Sequence, residues 1–329
     1  MFDAFVLAAG LGTRLRPLTE VVPKPLVPVC GVPLLAWSLA LAARHGLRDV
    51  VVNAHWLAPQ LEAWAGEREG CRVTVVTEPV LLGTGGGLAQ VADRMAHRFA
   101  VLNADVLHDV DLSALVAAVP AGGAAMALRS APDADRYGLV TADQRGRVVR
   151  LVDVARATPD GPVADDTHFT GIHAMDRDTL AHIPPGLQCV VRTTYRALVP
   201  ERRVAGVRYD GPWLDAGDPA AYLDANLDVL CGRARFTLDP FPRAGWARDI
   251  QGRTWGDPAL VAGARVVGPA WVGRGARIGR GATLTRCVIG AGAAVAPGVS
   301  LTDAVLWDHA QVDADGARRI AWPGGQWPA

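Results

Sequence analysis

One lysine stands against 32 arginines in this chain of 329 residues. It lies in the run GLGTRLRPLTEVVPKPLVPV, Gly10–Val29, between Pro23 and Pro25. A glycine-rich turn offers backbone N–H groups that can approach a phosphate closely. Thr13 adds a hydroxyl, Arg14 a planar fork of donors matched to phosphate oxygens, and Lys24 a compact ammonium. Phosphate binding is the chemistry these residue types support. Two familiar arrangements are excluded: Leu15 stands where a G-x-G-x-x-G fingerprint needs its third glycine, and no Gly-Lys-Ser/Thr follows as in a P-loop. Asp105 closes the apolar run FAVLNAD, where a carboxylate serves either as a strand-end cap or as a metal ligand. An arginine preference alongside abundant Ala, Gly and Pro reads as composition bias; it explains scarce lysine but not where the last one sits.

These residues need elements to position them. Ala4–Gly10 reads as a buried strand feeding a loop. Pro33–Gly46 has helical spacing with proline at its start and glycine past its end. Asp49–Asn53, Arg72–Glu78 and Phe99–Asp105 read as further strands, with LAPQLEAWAG and GGLAQVADRMAHR as helices between them. Strands alternating with helices at this spacing predict an α/β fold: a Rossmann-like mixed, mostly parallel sheet with helices on both faces. Ligands in such sheets bind at the carboxyl ends of strands, where Gly10 and Asp105 fall. Beyond Ala124 come shorter strands in GLVTAD, RVVRLVDV and FTGIHAM, a polar loop over Ala155–His168, and a last helix over Pro219–Leu230.

The tail changes period. Val261, Val266, Val272, Ile278, Leu284, Ile289, Val295, Leu301, Leu306 and Val312 follow one another at steps of five or six residues, with small residues between. That spacing fits neither a helix nor a flat strand. It is a hexapeptide pattern, predicting a parallel β-helix of about three coils if each coil has three sides. The expected organisation is therefore 1–232, a linker over 233–256, and coils over 257–329.

Bulk properties narrow the function. Half the residues are hydrophobic and the formal net charge is zero, which argues against a broad grip on nucleic acid or an anionic membrane. An acid, Asp3, stands where a signal peptide needs basic residues, and no run approaches the roughly 18 apolar residues of a membrane span. Five scattered cysteines, without C-x-x-C, fit free thiols in a reducing cytoplasm, so a cytoplasmic location is expected. His45, His55 and His97 read as surface or helix-end residues, and Trp271, Trp307, Trp322 and Trp327 as packing for coils or a subunit contact.

The longer string LAAGLGTRLRPLTEVVPKPLVPVCGVPLL closely resembles the opening signature of the sugar-phosphate nucleotidyltransferases. These enzymes join a nucleoside triphosphate to a sugar 1-phosphate and release pyrophosphate. The resemblance implies that Leu7, Ala8, Ala9, Gly10, Gly12, Thr13, Arg14 and Lys24 bind the nucleotide, with Arg14 and Lys24 catalytic. EPVLLGTGGGLAQ resembles the loop that meets the base, which adds Glu78, Gly83 and Thr84. VLNADV resembles the strand whose terminal aspartate binds the metal, with Asn103 implied on the sugar-phosphate side, and RYGLV and FTGIHAM resemble sugar-side segments, implying Tyr137, Gly138, Thr170 and Gly171. Asp105, with Asp215 of WLDAGDPAAYLDAN, would hold Mg2+. The likeness covers roughly 1–232, and the tail resembles the left-handed β-helix appended to some members, through which a homo-oligomer is expected. The implied partners are a nucleoside triphosphate and a sugar 1-phosphate, with no nucleic acid and no membrane.

Two departures matter. Many relatives carry a Glu-Lys-Pro triplet after the Tyr-Gly segment; here RLVDV stands there, so Asp153 is the candidate for the glutamate, and Arg150 or Arg192 for the lysine's charge. The usual Gly-Asp before the metal is Ala104-Asp105. The TGGG loop and the tail are most similar to guanylyltransferases acting on mannose 1-phosphate. Uridylyl or thymidylyl transfer to glucose 1-phosphate or N-acetylmuramic acid 1-phosphate is the alternative. A hexapeptide acyltransferase would want a histidine base, and the tail offers only His309. A non-catalytic relative would not need Arg14, Lys24, Asp105 and Asp215 intact.

Overall fold

The computed structural model describes residues 1–130, 137–163, 167–236, 254–255 and 258–328. Most of the expected linker, 237–253 and 256, lies outside the described residues, as does Arg136. Contacts divide the chain into two compact units. One comprises Met1–Leu11, Ser38–Ala104 and His108–Gly211; the other comprises Gly12–Trp37, Asp105–Leu107 and Pro212–Ala329. Gly12–Trp37 and the helix Pro219–Leu230 share an apolar cluster with the coils, which groups them in the second unit.

The first unit is built on an eleven-stranded mixed sheet. Its inner strands run in the order Cys71–Thr77, Asp49–Ala54, Phe2–Leu7, Met95–Asn103, all parallel. Val50, Val51 and Val52 are all fully buried, as in a parallel strand covered on both faces. Later strands extend the sheet antiparallel: Thr167–Asp176 pairs with both Met95–Asn103 and Ala124–Ser130. The strand order reverses between Phe2–Leu7 and Met95–Asn103, the switch point at which an open sheet leaves a crevice at its strand ends. Leu7 and Asn103 are register partners there. The helix expected over GGLAQVADRMAHR is shorter and earlier, Gly83–Gln90. Met95–Arg98 is instead drawn into the sheet, where Met95 pairs with Phe2 and Arg98 with Asp176.

In the second unit, three single turns, Thr13–Leu15, Leu18–Glu20 and Lys24–Leu26, carry the signature residues. A hairpin of Pro28–Val29 with Val32–Pro33 follows. Trp213–Asp215 pairs with Val106–His108. The helix Pro219–Leu230 opens where Asp218 accepts the Ala221 N–H at 2.9 Å, with proline at its first position.

The tail forms two parallel ladders. Arg265–Val272, Thr283–Ile289, Ser300–Leu306 and Gly316–Trp322 make one; Arg277–Ile278, Ala294–Val295 and Gln311–Val312 make the other. Nine of the ten hexapeptide residues fall into three columns: Val266–Leu284–Leu301, Val272–Ile289–Leu306 and Ile278–Val295–Val312. One column per side, three residues deep, is the stacking of a parallel β-helix. The antiparallel strand Gly325–Trp327 covers the last rung, which would otherwise be an open edge.

Candidate active site

In the first unit, the end of the strand Phe2–Leu7 is tied to the loop that follows Cys71–Thr77. The Asn53 side-chain oxygen accepts the N–H groups of Ala8 at 2.7 Å and Ala9 at 3.2 Å. Its amide donates to Glu78 Oε1 at 2.7 Å, and Glu78 Oε2 accepts the Leu82 N–H at 2.9 Å. Glu78 is 1 % exposed, so its carboxylate fixes the loop from inside. A Cβ on Gly87 would lie 2.7 Å from Glu78 Oε1 and 2.8 Å from Asn53 Nδ2, so only glycine lets this helix approach so closely. Thr84 Oγ1 accepts the Val190 N–H at 3.0 Å, and Gly85 N–H donates to the Gln188 carbonyl at 2.8 Å, which anchors the loop's far side. Gly10, by contrast, is exposed, with open space where a side chain would begin.

The sugar-side residues of the same unit are only partly gathered. Asn103 ends its strand opposite Leu7, and the space where Gly171 would carry a Cβ is taken by the Asn103 amide. Thr170 is buried; its hydroxyl donates to the Ala127 carbonyl at 2.9 Å and accepts the Ile172 N–H at 3.2 Å, shaping the bulge that turns Gly171. Tyr137 stacks on His168, ring centroids 4.9 Å apart, and Gly138 packs on Val152. Asp153 is not brought to this group: its side chain is 88 % exposed and lies 4.0 Å from Arg156. Arg192 is exposed, and Arg150 lies on the strand Val148–Leu151.

In the second unit, Thr19 is buried and donates to the Gly12 carbonyl at 2.7 Å, closing the turn that presents exposed Thr13 and Arg14. Lys24 Nζ lies 2.5 Å from Asp105 Oδ2, with the two side chains 12 % and 29 % exposed. The Ala216 N–H donates to the Asp105 carbonyl at 3.1 Å, placing the chain after Asp215 beside Asp105. A Cβ on Gly217 would lie 3.0 Å from Asp215 Oδ1 and 3.1 Å from both Asp215 Oδ2 and Arg14 Nη1. Carboxylate and guanidinium therefore face one small space that glycine leaves open. Asp105, in the turn just before Val106–His108, and Asp215, at the end of the strand paired with it, are hard oxygen donors of the kind magnesium takes, with substrate phosphates and water completing its shell. The donor set fits the ion.

Asn53, which holds the Ala8 and Ala9 N–H groups, carries no sequence signal of its own: it reads as the end of an ordinary strand. Among the described residues, a separate group of His97, Asp176 and Asp178 comes together, but Asp176 is spent on the N–H groups of Gly122 and Asp178.

The family model described as nucleotidyl transferase matches residues 3–231. A mannose-1-phosphate guanylyltransferase of Mycobacterium tuberculosis is 33% identical over 304 residues, covering 90% of this chain and 82% of that protein. A UTP–glucose-1-phosphate uridylyltransferase of Synechocystis is 27% identical, covering 95% and 89%. An N-acetylmuramate alpha-1-phosphate uridylyltransferase of Neisseria meningitidis is 30% identical, covering 65% and 92%. The crystal structure of HddC from Yersinia pseudotuberculosis shares the fold, with a TM-score of 0.56 at 20% identity over 69% of this chain.

Proposed function

This chain belongs to the nucleotidyl transferase family, as a sugar-1-phosphate nucleotidyltransferase, and from that premise we propose that it converts GTP and mannose 1-phosphate to GDP-mannose and pyrophosphate. The observation that carries the choice of pair is the likeness to the mycobacterial mannose-1-phosphate guanylyltransferase, which is 33% identical and covers 90% of the chain.

In this reading a phosphate oxygen of the sugar phosphate attacks the α-phosphorus of the triphosphate in line. The P–O bond to the β-phosphate breaks, and pyrophosphate leaves with the bonding pair. Such a reaction asks the protein for positioning and charge neutralisation rather than a covalent nucleophile. Arg14 offers a planar donor fork to phosphate oxygens, and the backbone turn at Gly12 sets its direction. Lys24 presents a point charge that can follow the transferring phosphoryl group as its charge redistributes. Asn53 and Glu78 hold the strand end and the base loop in fixed relation, so that the loop's backbone can distinguish bases. The family is generally dependent on a divalent metal, and Asp105 and Asp215 are the residues that would hold magnesium, whose charge would neutralise substrate phosphate oxygens.

The test is pyrophosphate release from GTP, UTP, dTTP, ATP and CTP, each with mannose 1-phosphate, glucose 1-phosphate and N-acetylmuramic acid 1-phosphate. GTP with mannose 1-phosphate is expected to give the highest kcat/KM. A higher value for UTP with either other sugar would move the assignment to the uridylyltransferases.

A further inference from the structure

We propose that the C-terminal coils take part in catalysis at one remove, with Tyr222 and Trp307 as positioning residues that hold the Lys24 loop from behind. The inference rests on the transferase reading of Lys24 but not on which nucleotide or sugar is used. After the Lys24–Leu26 turn the chain runs into the hairpin Pro28–Val29 and Val32–Pro33, whose connection is Cys30 and Gly31, both at positive φ. Tyr222 Oη donates to the Pro28 carbonyl at 2.5 Å, and Trp307 Nε1 donates to Tyr222 Oη at 2.9 Å. An indole N–H can only donate and a carbonyl can only accept, so the direction of both bonds is fixed. One hydroxyl thus links a coil residue to the catalytic loop.

A second tie runs from the next turn of the same helix. Asn226 Oδ1 accepts the Cys30 N–H at 2.9 Å, and Asn226 Nδ2 donates to the Tyr222 carbonyl at 3.0 Å. Both Tyr222 and Asn226 are fully buried. Behind the hairpin turn, the place a Cβ would occupy on Gly31 is filled by the Trp271 ring. Apolar contact alone would bury this surface equally well. A desolvated hydroxyl is tolerated only where both its bonds are made, so the arrangement fixes the Pro28 carbonyl at one position. Pro28 is four residues from Lys24, and the helix bearing Tyr222 starts four residues after Asp215. The brace therefore acts on both charged arms of the site. Small misplacements of a group that acts on the transferring phosphate cost rate without costing ground-state binding.

The sole lysine makes the claim measurable without turnover. Full-length protein labelled with ε-13C-lysine, with no lysine in any tag, gives one Cε signal, that of Lys24. Tyr222→Phe and Trp307→Phe are each expected to shift or broaden that signal, whereas Arg277→Ala on the distant coil ladder leaves it in place. With any substrate pair the wild type turns over, Tyr222→Phe is expected to lower kcat about tenfold while KM stays within about twofold. In a Lys24→Arg background the same change is expected to lower kcat less than about twofold, because its effect passes through Lys24. If Tyr222→Phe loses its cooperative melt, Trp307→Phe, which keeps the bond to Pro28, carries the same comparisons. An unmoved Cε signal in the folded variant overturns the proposal, as do effects on kcat that multiply in the double variant. Failure of every substrate pair would instead count against the proposed function, and the Cε signal would still decide the brace.

Discussion

Lys24 sits beside Asp105 in a space that leaves its side chain 12 % exposed. A guanidinium there would keep the charge but not the compactness: it needs room for a planar fork and two aligned acceptors. Lys24→Arg is therefore expected to lower kcat by at least about a hundredfold, the scale of losing one donor to a transferring group. Its melt by circular dichroism should match the wild type, since the flanking Pro23 and Pro25 hold the backbone either way. A rate within about threefold of wild type would make the residue type incidental. At this scale the charged candidates could be named from residue type and motif order. Arg14, Lys24, Asp105 and Asp215 all fall in one compact unit. Asp153 has weaker support, since only the place of a missing triplet points to it and its side chain is exposed. Asn53 could not have been found, because its partners Ala8 and Glu78 lie 45 and 25 residues away and no periodicity marks such a contact.

At the scale of elements, the hexapeptide columns were legible because each coil repeats one packing problem at a fixed interval. The helix Gly83–Gln90 was less so. Three of its eight residues after Thr84 are consecutive glycines, poor helix formers at about 1 kcal/mol each, which tertiary contact with Glu78 and Asn53 overrides. Among the histidines buried on strands are His108 and His173. Burial pushes the His108 imidazole down to about 3, with His45 adding to it; burial also pushes His173, which meets the Tyr195 hydroxyl at 2.6 Å, down to about 3. Both folded values lie below the unfolded one, so the unfolded chain binds more protons as pH falls. Their contribution is complete above about pH 6.5 and is lost progressively toward pH 3, at up to about 3 kcal/mol per pH unit for the pair. Urea midpoints should accordingly hold steady from pH 8 to 7 and fall between pH 6 and 4, and His173→Gln should flatten that fall. A wild-type midpoint unchanged from pH 7 to 4 would contradict the burial argument.

At the scale of the whole molecule, the sequence announced two kinds of architecture but not how the chain would share residues between them. Hydrophobic period distinguishes a sheet from coils; it does not reveal that the apolar side of a signature loop is covered by tryptophans some 240 residues away in sequence. Trp271, Trp307 and Trp322 are each about nine-tenths buried within their own unit, so a second copy of the chain would have to meet the tail on its other sides. No helix among the described residues is long and apolar enough to cross a membrane. The central claim is the identity of the product. In one vessel holding equal GTP, UTP, dTTP, ATP and CTP with mannose 1-phosphate, glucose 1-phosphate and magnesium, mass spectrometry of the nucleotide sugars formed reads that identity directly. GDP-mannose is expected to dominate, with one pyrophosphate released per molecule formed; a different dominant nucleotide sugar, or none at all, would overturn the proposed function.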